Sequence, residues 1–165
     1  MLSGRATKLA PCFVGLDKRY VTDIDLTART STGDPEGDVI ERSDAPTRAE
    51  LDARLEPLRG DVDLPIPAAS AVKIGGERAY KLARRGIQLE MPTRRSRIST
   101  LDVIAYSGGE VRLDLHVSSG TYVRAVADVL GGHCRTLRRL AIGPFTVDEA
   151  DPERFIPPDE ALARL

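Results

Sequence analysis

The chain has 165 residues, 41% of them hydrophobic, which is enough for one domain with a buried core and too few for several. Charged residues make up 30% while the formal net charge is -1, which excludes both a self-repelling disordered chain and a uniformly basic nucleic-acid arm. Two distant cysteines and two histidines point to neither a disulfide framework nor a metal centre, and no apolar run approaches the roughly 20 residues of a membrane span.

The opening MLSGRATKLAPCF lacks a charged region followed by an apolar one, so no signal peptide is expected and a cytoplasmic location is. From Lys18 to Arg29 the pattern alternates, with Tyr20, Thr22, Ile24, Leu26 and Ala28 on one side, and predicts one half-buried strand. STGDPEG, residues 31–37, gathers Gly, Asp and Pro into a turn. Thr47 and Glu50 form a capping box ahead of Leu51, Leu55 and Leu58, predicting a helix over 48–58 that ends near Pro57 and Gly60. Residues 64–76 are too rich in Pro and Gly for a regular element and read as an extended arm. ERAYKLARRG predicts a short basic helix closed by Gly86, with Arg84 and Arg85 where cations favour the helix dipole. Strands are expected over 97–106 and 111–117, then an apolar helix from about Tyr122 to Leu130 closed by Gly131 and Gly132. CRTLRRL predicts a second basic helix, IGPFTV a strand, and the Pro-rich acidic tail over 148–165 a linker or domain boundary.

The near-neutral total conceals an asymmetry. Residues 17–63 carry seven basic and thirteen acidic groups, whereas residues 64–147 carry thirteen basic and six acidic. Arginine outnumbers lysine twenty to four, which suits bidentate phosphate contacts and equally suits a codon bias. Two places could carry chemistry. The strand, glycine turn and helix at VSSGTYVRAVAD would present Tyr122 and Arg124 at a helix start; a packed tyrosine and a surface-paired arginine fit the same pattern. The basic helix, with Tyr80 between Arg78 and Arg84, could grip RNA by phosphate contacts and stacking, or be a solvated charged face.

Taken in order, GRATKL, DKRY, TGDPEGDV, SAVKIGGERAYKLARRG, SSGTYVRAVAD and LRRLAIGPF resemble the TruB-type tRNA pseudouridine synthases across nearly the whole chain. The resemblance implies an α+β fold, with a mixed, mostly antiparallel sheet, packed helices and an RNA-binding cleft. It also implies isomerisation of one uridine in the T-arm loop of tRNA to pseudouridine, without cofactor or metal, by an enzyme that is monomeric at full length. The target lies in a folded loop, so the base must be flipped into a pocket. By this resemblance Tyr20 is the active-site tyrosine, Arg124 holds the catalytic aspartate, Tyr122 lines the pocket and Leu137 packs beneath the base. The segment from about 65 to 93 becomes the RNA-gripping insertion, with Lys73 as the leading phosphate ligand beside Arg78, Tyr80, Arg84 and Arg85.

The family's catalytic aspartate belongs to a Gly-x-Leu-Asp-Pro element ahead of GRATKL, which this sequence does not contain. Asp34-Pro35 has a superficially similar form but falls in the turn after the Tyr20 strand, where a turn carboxylate is expected. The usual Pro-Pro before Ser-Ala-x-Lys is reduced to Ile66-Pro67. The chain therefore reads as residues 1–147 of a partial catalytic domain followed by a linker toward a further RNA-binding domain, and as inactive alone. Arg124 would be left for water, a phosphate or a substitute acid such as Asp128. The alternative is a non-catalytic RNA-binding module or a folding chaperone for the tRNA elbow.

Overall fold

The alternating apolar residues after Lys18 form β1 (Lys18–Asp25), the centre of a six-stranded sheet in a computed structural model that describes Leu2 and residues 4–87, 89–151 and 153–165. β1 pairs on one side with β8 (Glu110–Val117) and on the other with β9 (His133–Ile142). Outward from β8 lie β7 (Thr93–Ser107) and β4 (Gly60–Pro65), while β10 (Phe145–Thr146) caps the far end of β9. Every pairing in this sheet is antiparallel, in keeping with the expected α+β class and its mostly antiparallel sheet.

One sheet face carries the core. Ile24 on β1 faces Val111, and Thr22 faces Leu113, all of them buried. Onto this face pack α2 (Arg48–Leu55) through Leu51 and Leu55 and α4 (Val123–Val129) through Val123 and Val126. Each such aliphatic side chain contributes about 1.5–3 kcal/mol on burial. The opposite face carries ion pairs, Arg19 with Asp114 at 2.6 Å and Arg135 with Glu110 at 2.7 Å, whose guanidinium groups are solvent-exposed, so that each contributes about 0–1 kcal/mol.

The capping box forms as expected: the Glu50 amide donates to the Thr47 hydroxyl and the Thr47 amide donates to the Glu50 carboxylate. The strand expected over 18–29 is broken. Asp25 accepts from the Thr27 amide and hydroxyl, bending the chain, and the pattern resumes as β2 (Ala28–Thr30) in a separate two-stranded sheet with β3 (Val39–Arg42). Alternating burial runs through the bend without interruption, so periodicity alone does not reveal it. Neither β3 nor β4 is anticipated from the sequence. The arm is shorter than expected, because residues 60–65 pair with β7 and β5 (Lys73–Ile74) forms a hairpin with β6 (Glu77–Arg78). The basic helix is accordingly only α3 (Ala79–Arg84), still closed by Gly86 in the left-handed region.

The clearest correction is CRTLRRL, which is not a helix but the middle of β9. Cys134, Leu137 and Leu140 have helical spacing, yet eight residues of β1 pair with β9, with register shifts at Arg19/Tyr20 and Asp23/Ile24, and tertiary pairing overrides the weak local preference. Gly132 makes the approach possible: a Cβ there would collide with the Asp25 backbone carbonyl. In the tail, α5 (Pro158–Ala163) forms and Arg164 folds back on Glu149 at 2.9 Å.

Candidate active site

Arg124 stands in the first turn of α4, where the helix dipole disfavours a cation, so its position must be fixed by acceptors outside the helix. Three are present. Nη1 donates to the Thr32 carbonyl at 3.0 Å and to Asp34 Oδ2 at 3.1 Å, and Nη2 donates to the Ala69 carbonyl at 3.0 Å. One guanidinium thus joins α4, the 31–37 turn and the root of the arm.

The turn is shaped for this contact. Gly33 has φ +75°, and a Cβ there would sit 3.3 Å from Cβ of Arg124, so both backbone conformation and space call for glycine. The Thr32 hydroxyl donates to Asp34 Oδ1 and the Thr30 hydroxyl to the Asp34 carbonyl at 2.7 Å, while the Cys134 amide ties Gly33 to β9. Burial pushes the Cys134 thiol above its usual range, which makes it a packing residue rather than a nucleophile. The expected substitute acid, Asp128, does not serve Arg124. It binds Arg29 at 2.8 Å, which also binds Glu41 at 2.7 Å, and Asp34 takes the partner's place.

A cleft of about 270 Å³ opens between the 30–33 segment, the 65–68 segment and α4, with Arg29, Arg124 and Asp128 on its polar side and Ile40, Ile66 and Met91 on its apolar side. Neither Tyr20 nor Tyr122 lines it. Tyr20 faces Leu115 on β8 and Arg139 on β9, on the sheet face that α4 covers, and Leu137 faces Thr22 on that same side, 48% exposed. Tyr20 and Tyr122 both pack against the main core cluster. The guanidinium of Arg94 lies 5.9 Å from the centre of the Tyr122 ring and donates to the Gly120 carbonyl. Arg94 and the Arg124–Asp34 pair are not signalled by the sequence, since the first lies in a strand register and the second joins positions 90 residues apart.

In the arm, Lys73 and Arg78 are direct cross-strand partners, a like-charge placement that costs a few tenths of a kcal/mol. Arg78 donates to the Ala71 carbonyl, Arg85 pairs with Glu77 at 2.8 Å and Arg84 lies 5.6 Å from the Tyr80 ring centre. Lys73 is exposed and makes no ion pair among the described residues. No group of three or more metal-ligating side chains occurs among the described residues, and no described helix is long and apolar enough to cross a membrane.

The chain is similar to several known proteins. The tRNA pseudouridine synthase B of Mycobacterium sp. (strain KMS) is 44% identical over 160 residues, covering 90% of this chain and 54% of that protein. The tRNA pseudouridine synthase B of Psychromonas ingrahamii is 38% identical over 154 residues, covering 88% and 49%. The chain thus spans about half the length of the curated relatives it matches. Among solved structures, the crystal structure of a Cbf5-Nop10-Gar1 complex shares the fold with a TM-score of 0.61 at 22% identity, over 87% of this chain and 36% of that one. Residues 1–123 match the family described as "TruB family pseudouridylate synthase (N terminal domain)", and the chain belongs to that family.

Proposed function

We propose that this chain serves the isomerisation of a uridine in the T-arm loop of tRNA to pseudouridine in the cytoplasm, and that residues 1–147 form part of the catalytic domain with 148–165 leading out of it. The observation that carries this reading is the Arg124 guanidinium, fixed at the start of α4 and engaged with a carboxylate, in the fold of this family. In the reaction the bond from C1′ to N1 breaks, the uracil turns, a bond from C1′ to C5 forms, and the proton leaves C5 while N1 takes one up, so the product is an isomer of the substrate. On this reading the flipped uracil meets Tyr20, with Tyr122 lining the pocket and Leu137 beneath the base. Arg124 orients the carboxylate at the ribose, and Lys73, Arg78, Tyr80, Arg84 and Arg85 hold the RNA backbone.

A specific observation favours RNA binding without turnover by the 165-residue chain. The carboxylate on Arg124 is Asp34, whose other oxygen is held by Thr32 and whose carbonyl is held by Thr30, so it is anchored to its own turn. The test uses a T-arm stem-loop transcript. The chain should bind it in a salt-dependent manner and form no pseudouridine, and a version with a Gly-x-Leu-Asp-Pro segment ahead of Gly4 should form it. Binding no tighter than to an unstructured RNA of equal length would overturn the reading, and turnover by the 165-residue chain would assign the acid to Asp34 or a neighbour.

A further inference from the structure

Lys18 lies on the same sheet face as Tyr20, two residues before it, and its ammonium group turns back onto the chain instead of extending freely. Its Nζ donates to the carbonyls of Val14 and Leu16, each at 2.6 Å, and to Ser119 Oγ at 3.1 Å. An ammonium has three donors and no acceptor, so all its hydrogen-bonding capacity is committed. Ser119 Oγ in turn donates to the Val14 carbonyl, closing the loop between the two segments. Ser119 stands three residues before Tyr122, in a turn whose other side is anchored to β7: the Ser118 amide donates to the Arg97 carbonyl at 2.8 Å and the Arg97 amide to Ser118 Oγ at 2.9 Å. Burial and the neighbouring Arg139 hold the Lys18 amine below its usual range, with Asp17 acting against them, so this placement carries a cost that its three acceptors offset.

We infer that Lys18 is a positioning residue that fixes Tyr20 relative to Tyr122 by clamping the start of β1 to the Ser118–Gly120 turn through Ser119. The linkage is a property of the fold without RNA, whereas its value to catalysis rests on the proposed placing of both tyrosines in one uridine pocket. A methionine of similar length keeps the packing and loses all three donors. An arginine keeps the charge but spreads its N–H groups over a plane and cannot aim three from one atom.

The chain has four tyrosines and no tryptophan, which provides an internal control. With tyrosine labelled at the ring Cζ, assigned by single Tyr→Phe variants, Lys18→Met should shift the signals of Tyr20 and Tyr122 together and leave those of Tyr80 and Tyr106 in place. Lys18→Arg should restore neither. Should Lys18→Met fail to fold, Ser119→Ala, which spares Lys18 and its two carbonyls, should produce the same paired shift. A shift of only one of the pair, of neither, or of all four alike would overturn the inference, since a merely structural loss has no reason to select these two rings. The readout needs no RNA, so failure of the stem-loop to bind would count against the proposed function and leave the clamp standing.

Discussion

Replacing Asp34 with alanine isolates the contact that organises the candidate site. It removes one of three acceptors from a guanidinium whose side chain is 24% exposed, and the carboxylate itself is 32% exposed. Fully exposed pairs contribute about 0–1 kcal/mol, and leaving a fully buried partner uncompensated costs about 3–5 kcal/mol. Arg124 keeps two carbonyl acceptors and some water, so the loss should fall near the lower bound, at about 1.5 kcal/mol, or roughly 3–6 °C in Tm for a chain of this size. Asp52→Ala supplies the control: its pair with Arg48, at 2.9 Å, is 57% and 53% exposed, and its loss should cost under about 0.5 kcal/mol. Urea titrations of both variants, and a double-mutant cycle of Asp34→Ala with Arg124→Met, read the numbers directly, with an expected coupling of about 1 kcal/mol. Hydrogen exchange should separate the roles further. Arg124→Met frees the Ala69 carbonyl and should speed exchange across residues 69–72, while Asp34→Ala should not. If Asp34→Ala costs no more than Asp52→Ala, the Arg124 pair does not organise the turn.

Replacing Lys73 and Arg84 together with alanine should weaken binding to a T-arm stem-loop and reduce the slope of log affinity against log salt by about 0.9 for each phosphate that the arm ceases to neutralise; an unchanged slope would leave the arm a solvated face. Burial alone would raise the Asp25 carboxyl, but the hydroxyl and amide of Thr27, with His133 and Arg135, hold it below its ordinary 3.8. A depressed folded value means stability that is complete above 3.8 and drains as pH falls below it, so Thr27→Val should lower stability at neutral pH, converge on the parent at low pH and thereby flatten the acid limb of a stability profile. Gly132→Ala should cost at least about 2 kcal/mol in urea unfolding, because the new Cβ meets backbone rather than a movable side chain, and a smaller loss would mean that β9 can shift away from β1.

Several elements are determined locally and were legible for that reason. The capping box at Thr47 and Glu50, the left-handed glycines that close the helices, and the strict alternation of Val111, Leu113, Leu115 and Val117 each depend on residues within a few positions of one another. The family likeness was equally legible, because ordered motifs spread over most of the chain need no coordinates. What only the tertiary structure decided involves partners distant in sequence. CRTLRRL has the spacing of a helix and became a strand because β1 supplied an edge more than a hundred residues away, and β4 took its place from β7 in the same way. The strand pattern through residues 18–30 conceals the bend at Asp25 because the side chains keep alternating while the hydrogen-bonding partner changes from β8 and β9 to β3. The same holds at the site. The sequence singled out Arg124 and read Asp34 as a turn carboxylate, but that the one binds the other, and that Asp128 is already taken by Arg29, follows from how α4 and the turn dock on the sheet. Residue types and short spacings fix local conformation, whereas charge pairing at close range is settled by which surfaces the core brings together.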